Sequence, residues 1–89
     1  MDEIINQRRQ IDEIDEEIMR LLGERVRICR SIGLLKRRRG FQIEDVQREK
    51  EVLAHVKEKA ERFELNPELT ERIYRLIIEL CRVVQHVDE

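Results

Sequence analysis

Isoleucine recurs at positions 4, 11, 18 and 32, a seven-residue rhythm in which the one remaining member, position 25, is arginine. A sustained seven-residue apolar repeat marks a helix that presents one seam to other helices. The companion positions of the repeat read Arg8, Asp15, Leu22, Cys29 and Lys36. The pattern therefore predicts a buried seam that carries three cations and a carboxylate. No proline interrupts it, and Gly40 supplies a stop, so the first helix is predicted from about residue 2 to 39. Arg37, Arg38 and Arg39 fall in its last turn, where positive charge suits the helix dipole. Such a helix is roughly 55 Å long at 1.5 Å per residue. That is too long to be covered by two shorter helices of the same chain.

A short connection, Gly40 to Ile43, leads to a second helix predicted at about 45–62, with a seam of Val46, Glu49, Leu53, Val56, Ala60 and Phe63. Asn66 and Pro67 then form a cap and a first helical position, opening a third helix at about 67–87. Its apolar face reads Leu69, Ile73, Leu76, Ile77, Leu80, Val83, Val84 and Val87, expected with Tyr74 to be core. There is no strand pattern and no internal repeat. The expectation is an all-α chain, three helices with a long first one, forming a single domain over 1–89.

Composition supports helices over sheet: 43% of the 89 residues are charged, 40% hydrophobic and 3% aromatic. So short a chain buries a thin core alone, which favours an oligomer. The net charge of -2 gives no global attraction to nucleic acid or acidic membranes. Arg37–Arg39 accordingly read as a solvated helix end or a lid near a pocket, since no aromatic platform accompanies them. No run free of Asp, Glu, Lys and Arg exceeds five residues, so no membrane span is expected. The start, MDEII, lacks a signal-peptide pattern. Cys29 and Cys81 make neither a disulfide framework nor a metal site, and His55 and His86 share no ligand spacing. A cytoplasmic chain with free thiols and no metal site is the expectation; Cys29 reads as a small seam hydrophobe.

The charged seam positions hold the candidate chemistry. A guanidinium cannot shed its charge, so burying one is costly unless an anion meets it. A polar seam residue can also merely set register and oligomer state, and Asp15 reads best as an ion-pair partner. Arg25 and Lys36 lie about 20° apart around the helix and about 16 Å apart along it, so two long side chains could grip one small dianion. Arg8 is about 25 Å from Arg25 and could share such a ligand only in a partner subunit's site. On the second helix Asp45, Arg48 and Glu49 share a face, and on the third Cys81 and Gln85 are one turn apart. Glu49 alone could be no more than an intrahelical ion-pair partner. Together the set suits a molecule with two carboxylates, a hydroxyl and a further oxygen acceptor. No Ser–His or Cys–His pairing points to covalent catalysis.

The set Arg8, Arg25, Lys36, Asp45, Arg48, Glu49, Cys81 and Gln85 resembles that of the all-helical chorismate mutase family. So do the segments RRQIDEIDEEIMRLLGERVRICRSIGLLK, EDVQREKEVL and IYRLIIELCRVVQ, which cover most of the chain. The resemblance implies an intertwined homodimer and a Claisen rearrangement of chorismate to prephenate, on the route to phenylalanine and tyrosine, without a cofactor. It implies that Arg25 and the partner subunit's Arg8 bind the two carboxylates. Lys36 and Gln85 would face the ether oxygen, Glu49 the ring hydroxyl with Asp45 nearby, and Arg48 the carboxylate side. Cys81 stands where relatives often have a small hydroxyl residue. Isochorismate-pyruvate lyase on the same scaffold is the nearest alternative, disfavoured by the hydroxyl acceptor Glu49. A non-catalytic coiled-coil module is the alternative from another class.

Overall fold

The computed structural model describes residues 2–87 as three helices, α1 (Asp2–Arg38), α2 (Val46–Arg62) and α3 (Pro67–Val87). Met1, Asp88 and Glu89, and the side chain of Val87 expected on the apolar face of α3, lie outside the described residues. The chain is all-α, with no strand among the described residues.

Local chemistry sets each boundary. Asp2 and Glu3 open α1 while Lys36, Arg37 and Arg38 close it, matching charge to both ends of the helix dipole. Gly40 then takes a left-handed conformation, φ 72°, which a glycine adopts without a steric penalty. Phe41 N donates to Lys36 O at 2.8 Å and Gly40 N to Arg37 O at 3.1 Å, using carbonyls the helix end leaves free. Asp45 is the cap of α2: its Oδ1 accepts from Arg48 N at 3.0 Å. Asn66 caps α3 the same way, accepting from Leu69 N at 2.9 Å.

α3 joins the molecule, since α1 and α2 each pack on it. The α2–α3 pairing is antiparallel: Glu49 meets Arg82, and further along α2 Lys57 meets Glu71 back along α3. Val56 and Ala60 are buried on α2 and Cys81 on α3. Gly33 is the buried residue of α1. A Cβ on Gly33 would lie 3.0 Å from Gln85 Cγ and 3.3 Å from its Cα, so the absent side chain lets α1 approach α3 closely.

The remainder of α1 is bare, every residue from 2 to 21 being exposed. The radius of gyration is 16.4 Å, whereas a compact chain of this length needs about 12 Å. The accessible surface is 7590 Å², against about 5,600 Å² for a folded monomer of this mass.

Two apolar faces expected from sequence are left uncovered by the single chain. The predicted face of α3 is not core in the single chain: Leu69, Ile73, Leu76, Leu80 and Val83 are exposed, and α3 buries itself through Cys81 with Tyr74, Ile77, Ile78 and Val84 half-buried. The seam of α1 is likewise not buried: Ile4, Ile11 and Ile18 are exposed, and Arg25 and Lys36 are half-buried. The periodicity identified apolar stripes correctly but not their covering, because one chain of this length offers nothing to lay against both.

Candidate active site

The C-terminal half of α1, the start of α2 and the end of α3 enclose a cavity of about 290 Å³. Arg25, Lys36, Asp45, Arg48, Glu49, Cys81 and Gln85 all line it, so three helices and one connection bring together seven of the eight residues expected from sequence. Arg8 does not join them; it sits on the exposed half of α1. Ile28, Ile32, Val52 and Ile78 supply apolar wall. Polar groups converging on an apolar wall are the usual make-up of a small-molecule site.

The contacts divide the cations into two kinds. Arg25 Nη1 lies 2.7 Å from Cys81 Sγ and 4.0 Å from Cys29 Sγ. Sulfur is a weak acceptor, and Arg25 has no carboxylate partner among the described residues. Lys36 Nζ donates at 2.8 Å to Ile43 O, tying α1 to the connection before α2, and it too meets no carboxylate among them. Arg48 is loosely paired with Glu51 at 3.8 Å and is largely exposed. Arg82, by contrast, meets Glu49 Oε1 at 2.6 Å. The hydrogen bond from Arg82 to Glu49 and their opposite charges raise the guanidinium's proton affinity.

Gln85 is held at three points. Its Nε2 donates to Cys29 O at 2.9 Å, its backbone carbonyl accepts from Arg37 Nη2, and Gly33 lies against its stem. Burial and a hydrogen bond to Cys81 push the Cys29 thiol up to about 11, so it is neutral at ordinary pH.

Asp45 lines the cavity and also caps α2, one of its oxygens accepting from Arg48 N at 3.0 Å. Arg82 and Gly33 were missed by the sequence reading. Arg82 sits one residue after Cys81 and three before Gln85, a placement on their face that could have flagged it. Gly33 follows the seam residue Ile32 and shows its role only once Gln85 is packed against it.

A family model for chorismate mutase type II matches residues 7–86. The chain belongs to the chorismate mutase type II family. It is 27% identical over 78 residues to a chorismate mutase of Methanocaldococcus jannaschii, covering 88% of this chain and 79% of that protein. It is 34% identical over 90 residues to a bifunctional chorismate mutase/prephenate dehydratase of Aquifex aeolicus, covering 91% of this chain and 23% of that protein. A 3-dehydroquinate dehydratase of Pyrobaculum aerophilum matches at 34% over 80 residues, 90% of this chain and 23% of its own length. The chain thus spans about a quarter of the two longer relatives. No solved structure matches it significantly. In this member of the chorismate mutase type II family, the cavity combines two cations without carboxylate partners among the described residues, an amide whose second N–H meets no partner among them, and a carboxylate held from one side. That arrangement can bind a small dianion and place donors against a third oxygen.

Proposed function

We propose that this chain is an isomerase that rearranges chorismate to prephenate, feeding phenylalanine and tyrosine synthesis. The observation that carries the reading is the pair Arg25 and Lys36, two cations on one face of α1 that frame the cavity and meet no carboxylate among the described residues. Chorismate carries two carboxylates, a ring hydroxyl and the enol ether whose C–O bond breaks as a C–C bond forms. The step is unimolecular and moves no proton or external electron, so it calls for no cofactor. Catalysis then consists of holding the compact conformer and stabilising negative charge that grows on the ether oxygen.

Arg25 takes one carboxylate and the partner subunit's Arg8 the other. Lys36 has three donors and spends one on Ile43 O; the Gln85 amide has two and spends one on Cys29 O. Each keeps a donor for the ether oxygen while its protein contact fixes its direction. Glu49 accepts from the ring hydroxyl through the oxygen that Arg82 does not hold, with Asp45 nearby and Arg48 supporting the carboxylate side. Cys81 steadies Arg25 by accepting from it. Two free thiols suit a reducing cytoplasm, and among the described residues no helix is long and apolar enough to cross a membrane.

The working unit is an intertwined homodimer. Exposed apolar residues fall at heptad spacing on both α1 (Ile11, Ile14, Ile18, Leu21, Ile28, Ile32) and α3 (Leu69, Ile73, Leu76, Leu80, Val83). The excess surface over a compact monomer is of the size an obligate interface buries, on the order of 2,000 Å².

Adding pure protein to chorismate and following loss of its absorbance with appearance of prephenate tests the reading. Lys36→Ala is expected to lose about 10²-fold or more in kcat, as removal of a preorganised donor does. Near-normal turnover by that variant would contradict the site. Release of pyruvate and salicylate from isochorismate, with chorismate untouched, would assign the lyase instead. No turnover of either would leave a helical interaction module.

A further inference from the structure

Building on the mutase reading, we propose that Arg82 is a positioning residue. It clamps Glu49 from α3 and thereby sets how strongly the site selects a hydroxylated ring. The contact is short and crosses helices: Arg82 Nη2 lies 2.6 Å from Glu49 Oε1, with 39% and 30% of the two side chains exposed. Both residues line the cavity.

Two physical consequences follow from one contact. A glutamate reaching into a cavity has three rotatable bonds, and ordering it on binding weakens affinity; a fixed oxygen avoids that cost. Glu49 would also repel a dianion in the same small cavity, and the adjacent guanidinium cancels that repulsion. With Oε1 held by Arg82, Oε2 remains to accept a hydroxyl.

The pair is a poor candidate for a purely structural clamp. Arg82 Nε is buried with no hydrogen-bond partner among the described residues. An incompletely satisfied ion pair adds little stability compared with apolar side chains of similar size. Val56 and Ala60 supply buried packing, and Lys57–Glu71 at 3.3 Å already ties the other end of α2 to α3.

Steady-state kinetics of Arg82→Met, Arg82→Lys, Glu49→Gln and the Arg82→Met/Glu49→Gln double variant test this, on chorismate and on an analogue lacking the ring hydroxyl. Arg82→Met is expected to lower kcat/KM about tenfold on chorismate, mostly through KM, with Arg82→Lys recovering part of it. In the Glu49→Gln background the same change should cost less than about twofold, because the two residues act as one unit. On the dehydroxy analogue Arg82→Met should cost clearly less than on chorismate, because only the uncovered repulsion of the two carboxylates remains. Thermal melting identifies any variant that has lost its fold, and the Lys variant keeps the comparison decisive if Met does not fold. Wild-type kinetics in Arg82→Met would overturn the proposal. So would an equal penalty with Glu49→Gln or with the analogue. An inactive wild type would overturn the mutase reading and this proposal with it.

Discussion

Gln85 is braced so that one N–H of its amide goes to Cys29 O and the other is left for a ligand. Gln85→Glu replaces that amide with a group that donates only when protonated, and its ionised form would face the Cys29 carbonyl. A pH–rate profile of the variant should therefore rise toward acid, where the carboxyl keeps its proton, and fall near neutrality. A profile that overlays the wild type would remove Gln85 from the reaction. Cys29 gives a second titration. Its thiol is raised from 9.0 to about 11 by burial and the contact with Cys81. The unfolded chain loses that proton at lower pH than the folded one. The stabilisation is therefore complete below about 9 and is lost as pH rises through about 11. Alkaline melting curves should show that decline in the wild type, and Cys29→Ala should flatten it. Among single residues, Arg25 and Lys36 were legible because they interrupt a repeat. Arg82 could be flagged only by its place beside Cys81 and Gln85, and its pairing not at all, because Glu49 lies on another helix where no repeat connects them.

At the level of elements, α1 and α3 announced their ends through Gly40 and the Asn66–Pro67 pair. α2 ends at Arg62, where the sequence placed it, but by a geometry the sequence does not signal. It closes through Glu64, a non-glycine residue at φ 59°, with Leu65 N donating to Ala60 O at 2.8 Å and Glu64 N to Glu61 O at 3.2 Å. A glutamate carries no turn signal, so only the folded chain reveals that geometry. Gly33 was equally silent, being an ordinary glycine inside a helical pattern. Gly33→Ala should gain up to about 1 kcal/mol of helix propensity. Its methyl must nevertheless displace Gln85 by a few tenths of an ångström from its 3.0 Å approach. Turnover should drop about tenfold while the melting temperature changes little, since catalysis tolerates misplacement less well than packing does. Assay and melting curve on the same preparation check both halves; unchanged turnover would detach the close approach of α1 and α3 from the chemistry.

For the whole molecule, the helical class and the charged residues that line the cavity were legible, the latter because charge interrupts regular seams. What covers those seams was not, since periodicity marks a face as apolar without naming its occupant. The exposed half of α1 has a consequence for inheritance. If Arg8 serves the neighbouring site, Arg8→Ala and Lys36→Ala damage different halves of a shared object. Refolded together from a denatured mixture, the two inactive variants should regain about a quarter of wild-type activity. Half the dimers are then mixed, and each mixed dimer has one intact site. Sites confined to one chain would give no recovery. Two faulty copies of one gene could thus complement each other within a single cell.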